Sequence, residues 1–99
     1  MLKVNFRKVV ASGNDFVITE LRAKNSELRN LAKEICNRKY GVGADGLLVL
    51  EKSKVADIKM RIFNPDGSEA EMCGNGARCV ALYLGKPNVK IETRAGLIE

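Results

Sequence analysis

Histidine and tryptophan are absent from this sequence, proline occurs twice and cysteine three times. Each scarcity closes off a class of function. With no histidine, no CxxC pair, and Cys73 and Cys79 six residues apart, the thiols lack the ligand spacing of a zinc site; no metal is expected. Cysteines at 36, 73 and 79 form an odd set, unlike a secreted disulfide framework. Reduced thiols and a cytoplasmic location are the expectation. Two tyrosines and three phenylalanines are few rings for stacking on bases, and no run of five or six like charges occurs. The net charge of +5 therefore does not point to nucleic acid, although it allows a surface that attracts an anionic small molecule. No stretch approaches the ~18 apolar residues of a membrane span. The segment after Met1 is charged and strand-like, without the apolar core of a secretory leader.

What remains is ordinary globular composition, 45% apolar and 29% charged, in a chain of 99 residues that can bury one modest core. Val4, Phe6 and Val10 recur at period two, which predicts a half-buried strand over 3–10. Ser12-Gly13-Asn14-Asp15 is a turn signal, and Phe16–Thr19 a second strand, giving a hairpin. Asn25 or Ser26 can cap a helix running to about Cys36, with Leu28, Leu31, Ala32, Ile35 and Cys36 on its apolar face. Residues 41–46 are a glycine-rich loop with no Gly-Lys-Ser/Thr after it, so a phosphate loop is excluded. Leu47–Leu50 and the alternating Ile58, Met60 and Ile62 predict two more strands, and Asn64-Pro65-Asp66-Gly67-Ser68 a turn. From 74 to 85 the apolar residues fall on nearly every face, the pattern of a helix buried all round, with Gly85 and Pro87 to end it. Strands wrapped around one central buried helix satisfy both patterns. Thr93 to Glu99 reads as a strand, a turn at Gly96 and the start of another apolar run, so the chain is expected to be a piece of a longer protein.

Met72-Cys73-Gly74-Asn75-Gly76 is where chemistry is expected. A thiol stands ahead of two glycines where the second helix begins. Glycines let backbone approach a ligand closely, and the first amides of a helix have no internal acceptor. Together they form a cradle suited to a carboxylate. A helix start favours an anion by up to about 2 kcal/mol in partly buried geometry. Such a thiol can take and return a proton. Most free cysteines are instead small buried hydrophobes. That bland role is the expectation for Cys36 and Cys79, while for Cys73 both roles stay open on these grounds alone. Asn14 and Asn64 are, on the same grounds, turn residues bonding their own backbone.

The stretch Phe63-Asn64-Pro65-Asp66-Gly67-Ser68-Glu69-Ala70-Glu71-Met72-Cys73-Gly74-Asn75-Gly76-Ala77-Arg78-Cys79 closely resembles the signature of the diaminopimelate epimerase family. Gly13-Asn14-Asp15-Phe16 and residues 38–46 resemble that family's two earlier motifs, in the same order and spacing. The resemblance implies an α+β fold of mainly antiparallel strands around a central helix, one half of a two-domain, pseudo-symmetric epimerase. Residues 1–99 would be an incomplete N-terminal domain. It implies interconversion of LL- and meso-diaminopimelate, in lysine and peptidoglycan precursor biosynthesis, with neither pyridoxal phosphate nor metal. One cysteine thiolate removes the α-proton from one face, and a second thiol delivers one from the other. By match, Cys73 is the N-terminal member of that pair. Gly74 and Asn75 would hold the substrate α-carboxylate through backbone amides, and Asn14 and Asn64 would contact the substrate. The second cysteine would come from a C-terminal domain, so residues 1–99 alone are expected to be inactive. The other partner would be the amino-acid substrate, with a homodimer left open.

Two positions depart from the family pattern: Val9-Val10-Ala11-Ser12 stands where Met-His-Gly-Leu is frequent, and Gly46 where some members carry glutamine. Rival readings are a proline racemase or hydroxyproline epimerase, a phenazine-biosynthesis-type isomerase, and a non-catalytic module that binds an amino-acid carboxylate. Asn75 argues against the first, where histidine is usual after Cys-Gly, and Cys73 against the second, which does not use paired thiols.

Overall fold

A computed structural model describes residues 5–86 and 88–98 of the chain. β1 (Arg7–Ala11) and β2 (Asn14–Thr19) pair antiparallel around a two-residue turn. Ser12 and Gly13 take φ of 52° and 85°, the primed turn whose twist matches a tight hairpin. α1 (Asn25–Ile35) then crosses over to β3 (Gly46–Glu51), which lies parallel to β2, as such a crossover requires. β4 (Ile58–Phe63) returns antiparallel to β3, and the short β5 (Glu69–Ala70) folds back on its end. α2 (Gly74–Leu84) makes a second crossover to β6 (Ile91–Thr93), parallel to β4, and β7 (Gly96–Ile98) pairs antiparallel with β6. The result is an α+β domain: one mixed, mainly antiparallel sheet in the order β1-β2-β3-β4-β6-β7, with β5 alongside β4.

The sheet is covered on both faces, which explains why its central strands are apolar without alternation. Phe16, Ile18, Leu48, Leu50, Met60 and Ile62 point one way and meet Cys79 and Val80 of α2. Val17, Leu47, Val49 and Phe63 point the other way and meet Leu28, Ala32 and Ile35 of α1. The amphipathic stripe expected of the first helix is thus the face it buries. Gly85, at φ 68°, ends α2 with its N–H donating to the Ala81 and Leu82 carbonyls. Among the described residues no helix is long and apolar enough to cross a membrane.

Three local expectations change. Phe6 and Val10 are exposed, and Val9 and Ala11 pack on the core instead. The pairing register sets the phase: Val9 stands opposite Phe16, whose ring faces α2. Lys3 and Val4 of that expected strand lie outside the described residues, as does Pro87. Asn25 and Ser26 are inside α1, and Lys24 takes the capping position; there Glu27 accepts from the Lys24 N–H, while the Asn25 oxygen accepts from Arg61. Finally, α2 is buried on one face only. Gly76, Cys79 and Val80 meet the sheet, and Leu82 is exposed. Its outer side borders an apolar groove of about 870 Å³ that includes Ala77, Ala81 and Ile98. Apolar residues on every face thus did not mean cover on every face within these residues.

Two contacts set the relation between helices and sheet. The first is the approach of α2 to β3. A Cβ on Gly76 would lie 3.2 Å from Leu48 Cδ2 and 3.5 Å from Cys73 Cβ, so any larger residue there presses on Leu48. The second is an ion-pair cluster that ties the loop after α1 to the start of β2. Arg38 grips Asp15 with both guanidinium nitrogens, at 2.8 and 3.0 Å, and reaches Asp45 at 3.0 Å. Lys8 adds a contact to Asp15 at 3.2 Å. The Arg38 guanidinium, with Lys8 and the Asp45 N–H, holds the Asp15 carboxyl well below the usual carboxylate range, against the opposing effect of desolvation.

Gly76→Val should lower stability by about 1–3 kcal/mol, the usual cost of overpacking, read as a lower urea midpoint. Gly74→Ala is the control: nothing lies within 4 Å of an added Cβ there, and alanine suits a helix better than glycine, so the midpoint should hold or rise. The Asp15 cluster has a pH signature. An unfolded aspartate titrates near 3.9; with a native value below that, the stabilisation is present above about pH 4 and is lost as pH falls through the native value. Asp15→Asn should therefore be less stable than the parent at neutral pH, with the gap narrowing steadily as pH falls below about 4 in thermal melts. A gap independent of pH would contradict this assignment.

Candidate active site at the start of the second helix

Cys73 occupies the capping position of α2 in extended backbone, φ −147° and ψ 116°, and no side chain caps the helix. The first bond within the helix runs from the Ala77 N–H to the Cys73 carbonyl at 3.0 Å. The amides of Gly74, Asn75 and Gly76 precede that bond and have no acceptor inside the helix. No acidic residue lies in the first turn to occupy them.

The thiol borders a small cavity of about 250 Å³. Asn14 from the start of β2, Gly46 from the start of β3 and Asn64 from just past β4 line it together with Cys73, above Phe16 and Ile62. The strand pairing explains the convergence. β2 starts opposite the start of β3, and β4 ends opposite it, with Phe16 facing Gly46 and Leu47 facing Phe63. Three expected site residues, Asn14, Asn64 and Cys73, thus share one cavity. A fourth, Asn75, is bonded to it: its Nδ2 donates to Asn14 Oδ1 at 2.6 Å. Gly74 is placed differently. It lines the larger groove on the outer side of α2, with Met72 bordering both spaces.

Asn64 does act in its turn: its N–H donates to the Ser68 carbonyl at 2.8 Å and its Nδ2 to Ser68 Oγ at 2.9 Å. Asp66 completes that turn by accepting from the Ser68 N–H and hydroxyl. Gly46 has a defined consequence. A Cβ there would come within 3.2 Å of the Phe16 ring and 3.3 Å of the Phe63 carbonyl oxygen, so a glutamine at this place requires Phe16 to move.

The other two thiols are apart from this chemistry. Cys36 is buried among the α1 contacts and Cys79 beneath α2. Burial pushes the Cys36 thiol up to about 11 and raises that of Cys79 as well. Both behave as small hydrophobes. Among the described residues, no group of three His, Cys, Asp or Glu could hold a metal ion.

Sequence reasoning did not assign Asp45. Its Oδ2 accepts from Asn14 Nδ2 and from the Asp15 N–H, each at 3.1 Å, while Arg38 holds its other oxygen. The glycine-rich loop of 41–46 carries this carboxylate to the rim of the cavity. Its place in the 38–46 motif does not reveal this role, because the cavity-side partners, Asn14 and Asp15, lie 31 and 30 residues earlier.

Comparisons with known proteins give the family and the fold. The family model for diaminopimelate epimerase matches residues 6–99. The diaminopimelate epimerase of Caldanaerobacter subterraneus subsp. tengcongensis is 50% identical over 101 residues, covering 96% of this chain and 36% of that protein. That of Carboxydothermus hydrogenoformans is 49% identical over 106 residues, covering 97% and 39%. The chain therefore spans little more than a third of the length of these relatives. Among solved structures, a PhzF-family phenazine biosynthesis protein of Bacillus anthracis shares the fold at a TM-score of 0.69 and 27% identity, over 93% of this chain and 32% of that one. An Enterococcus faecalis member of the PhzF family, at 17% identity and a TM-score of 0.65, covers 87% and 33% and speaks to the fold alone. With a match that runs from Phe6 to the last residue, the chain belongs to the diaminopimelate epimerase family.

Proposed function

We propose that this chain provides the N-terminal half of a cofactor-independent epimerase that interconverts LL- and meso-diaminopimelate, with Cys73 as one of two catalytic thiols. The observation that carries the reading is the position of Cys73: a half-buried thiol at the uncapped start of α2, on the wall of a cavity that also holds Asn14 and Asn64. The free amides of the first turn suit the substrate carboxylate, and Gly74 and Asn75 are the residues that offer them. Asn14 and Asn64 bring polar side chains to the cavity that Cys73 borders.

Inverting a tetrahedral carbon requires a base on one face and an acid on the other. As thiolate, Cys73 takes the α-proton and becomes a thiol; the second cysteine, a thiol at the outset, gives its proton to the opposite face. In the reverse direction the two exchange roles. Neither Cys36 nor Cys79 can serve as that second group, because both are buried. The opposing thiol must come from the part of the relatives' length that this chain does not span. Closing two halves over the substrate would also exclude water from the proton transfers. An enzyme working through free thiols belongs in a reducing compartment, here the cytoplasm, and its product would feed lysine and peptidoglycan precursor synthesis.

Two measurements test this. In the folded chain, iodoacetamide should modify Cys73 well before Cys36 and Cys79, as read by peptide mass spectrometry; equal, slow labelling of all three would favour an inert thiol. In a complete enzyme carrying this chain, Cys73→Ala should reduce epimerisation by about 10²–10⁴-fold, the usual contribution of a positioned acid or base. Normal turnover by that variant, or by residues 1–99 alone, would contradict the proposal.

A further inference from the structure

A polar chain leads from an ion pair to the opening of α2, and hydrogen-bond chemistry sets its direction. Arg38 Nη2 donates to Asp45 Oδ1 at 3.0 Å, and Asp45 Oδ2 lies 3.1 Å from the Asn14 carboxamide. A carboxylate only accepts, so the Asn14 atom turned toward Asp45 must be Nδ2. That sends Asn14 Oδ1 the other way, where it accepts from Asn75 at 2.6 Å. Asn75 must then present its own Nδ2 to Asn14. A carboxamide is nearly symmetric in shape, and its orientation is decided by its partners. Here two of them are decided in series by one carboxylate, across 31 residues to Asn14 and a further 61 to Asn75.

The consequence falls on the cavity. Asn14 lines the cavity with Cys73 and keeps one Nδ2 proton that no bond among the described residues uses. Turned the other way round, Asn14 would set its oxygen against the Asp45 carboxylate and its Nδ2 against that of Asn75, losing both bonds. We propose that Asp45, held by Arg38, is a positioning residue: it orients the carboxamide of Asn14 and, through it, that of Asn75, and so fixes which polar atoms the opening of α2 presents to the substrate. The assignment of a substrate rests on the epimerase reading; the orientation itself does not. Asp45 also borders the cavity, so direct contact with a substrate ammonium group is the competing account that an experiment must separate.

The kinetic arm uses a complete enzyme carrying this chain, with diaminopimelate as the probe. Asp45→Asn replaces the acceptor-only group by one that can satisfy Asn14 either way round. KM should rise about tenfold, equivalent to about 1.4 kcal/mol, with kcat within about threefold. On an Asn14→Ala background the same substitution should change KM no further. Additive effects would show that Asp45 acts on substrate directly and overturn the proposal. An unchanged KM with fewer active molecules would reduce Asp45 to a structural role and also overturn it.

The second arm needs no activity. In ¹⁵N-asparagine-labelled enzyme without substrate, the carboxamide protons of Asn14 and Asn75 should exchange at least tenfold more slowly than those of the exposed Asn88. Asp45→Asn should bring Asn75 toward the Asn88 rate. Should that variant fail to fold, the unsubstituted enzyme decides alone: fast exchange at Asn75 overturns the relay, and protection supports it. If the enzyme neither binds nor converts diaminopimelate, the epimerase reading has failed, and the exchange measurement still decides the orientation.

Discussion

Helix α2 lies closely against β3 where Gly76 has no side chain: an added Cβ would come within 3.2 Å of Leu48 Cδ2, tight enough that the leucine would have to give way. That approach holds the helix start level with the end of the sheet. From it follow the position of the thiol, the direction of the free amides and the cavity between Cys73 and the strand ends. The same packing buries Cys79 and Val80 in the core, so one helix serves the hydrophobic interior along its side and leaves free amides at its tip. These demands do not conflict because a helix satisfies its backbone along its length and leaves it unsatisfied only at its ends.

Around that tip the polar groups are arranged in shells. The apolar floor is Phe16 and Ile62, the wall holds Asn14, Asn64 and Cys73, and behind Asn14 stands the cluster of Arg38, Asp15 and Asp45. Of these charges only Asp45 borders the cavity, and it, like Arg38, remains open to water. Carboxamides, which lose less on leaving water than ions do, stand closest to the thiol. The ion pairs thus need not be buried to influence the site; they act through the orientation of the asparagines they hold.

Most of the fold was legible because its signals are local. The period of Leu28, Ala32 and Ile35 belongs to the chain itself, as do the apolar run Leu47–Leu50 and the turn residues of 64–68, and each reads the same in isolation as in the sheet. The start of β1 was misread for the opposite reason. A run with apolar residues at both odd and even positions, such as Phe6, Val9 and Val10, can pair in two phases. Only the partner strand, with Phe16 opposite Val9, selects one. The cover on α2 was misread because composition tells how apolar a helix is, not how much of the surrounding protein is present to meet it.

Sequence alone determined which thiol stands at a helix start, since a cysteine ahead of Gly74-Asn75-Gly76 is a short-range pattern, and it determined which two cysteines are core. Tertiary structure alone decided that Asn14, Asn64 and Cys73 share a cavity, that Gly74 faces a different space, and that Asp45 stands behind Asn14. The reason is physical. Helix and turn signals depend on neighbours within a few residues, whereas a hydrogen bond between residues 31 or 61 apart exists only once strand register and crossover have brought their backbones together.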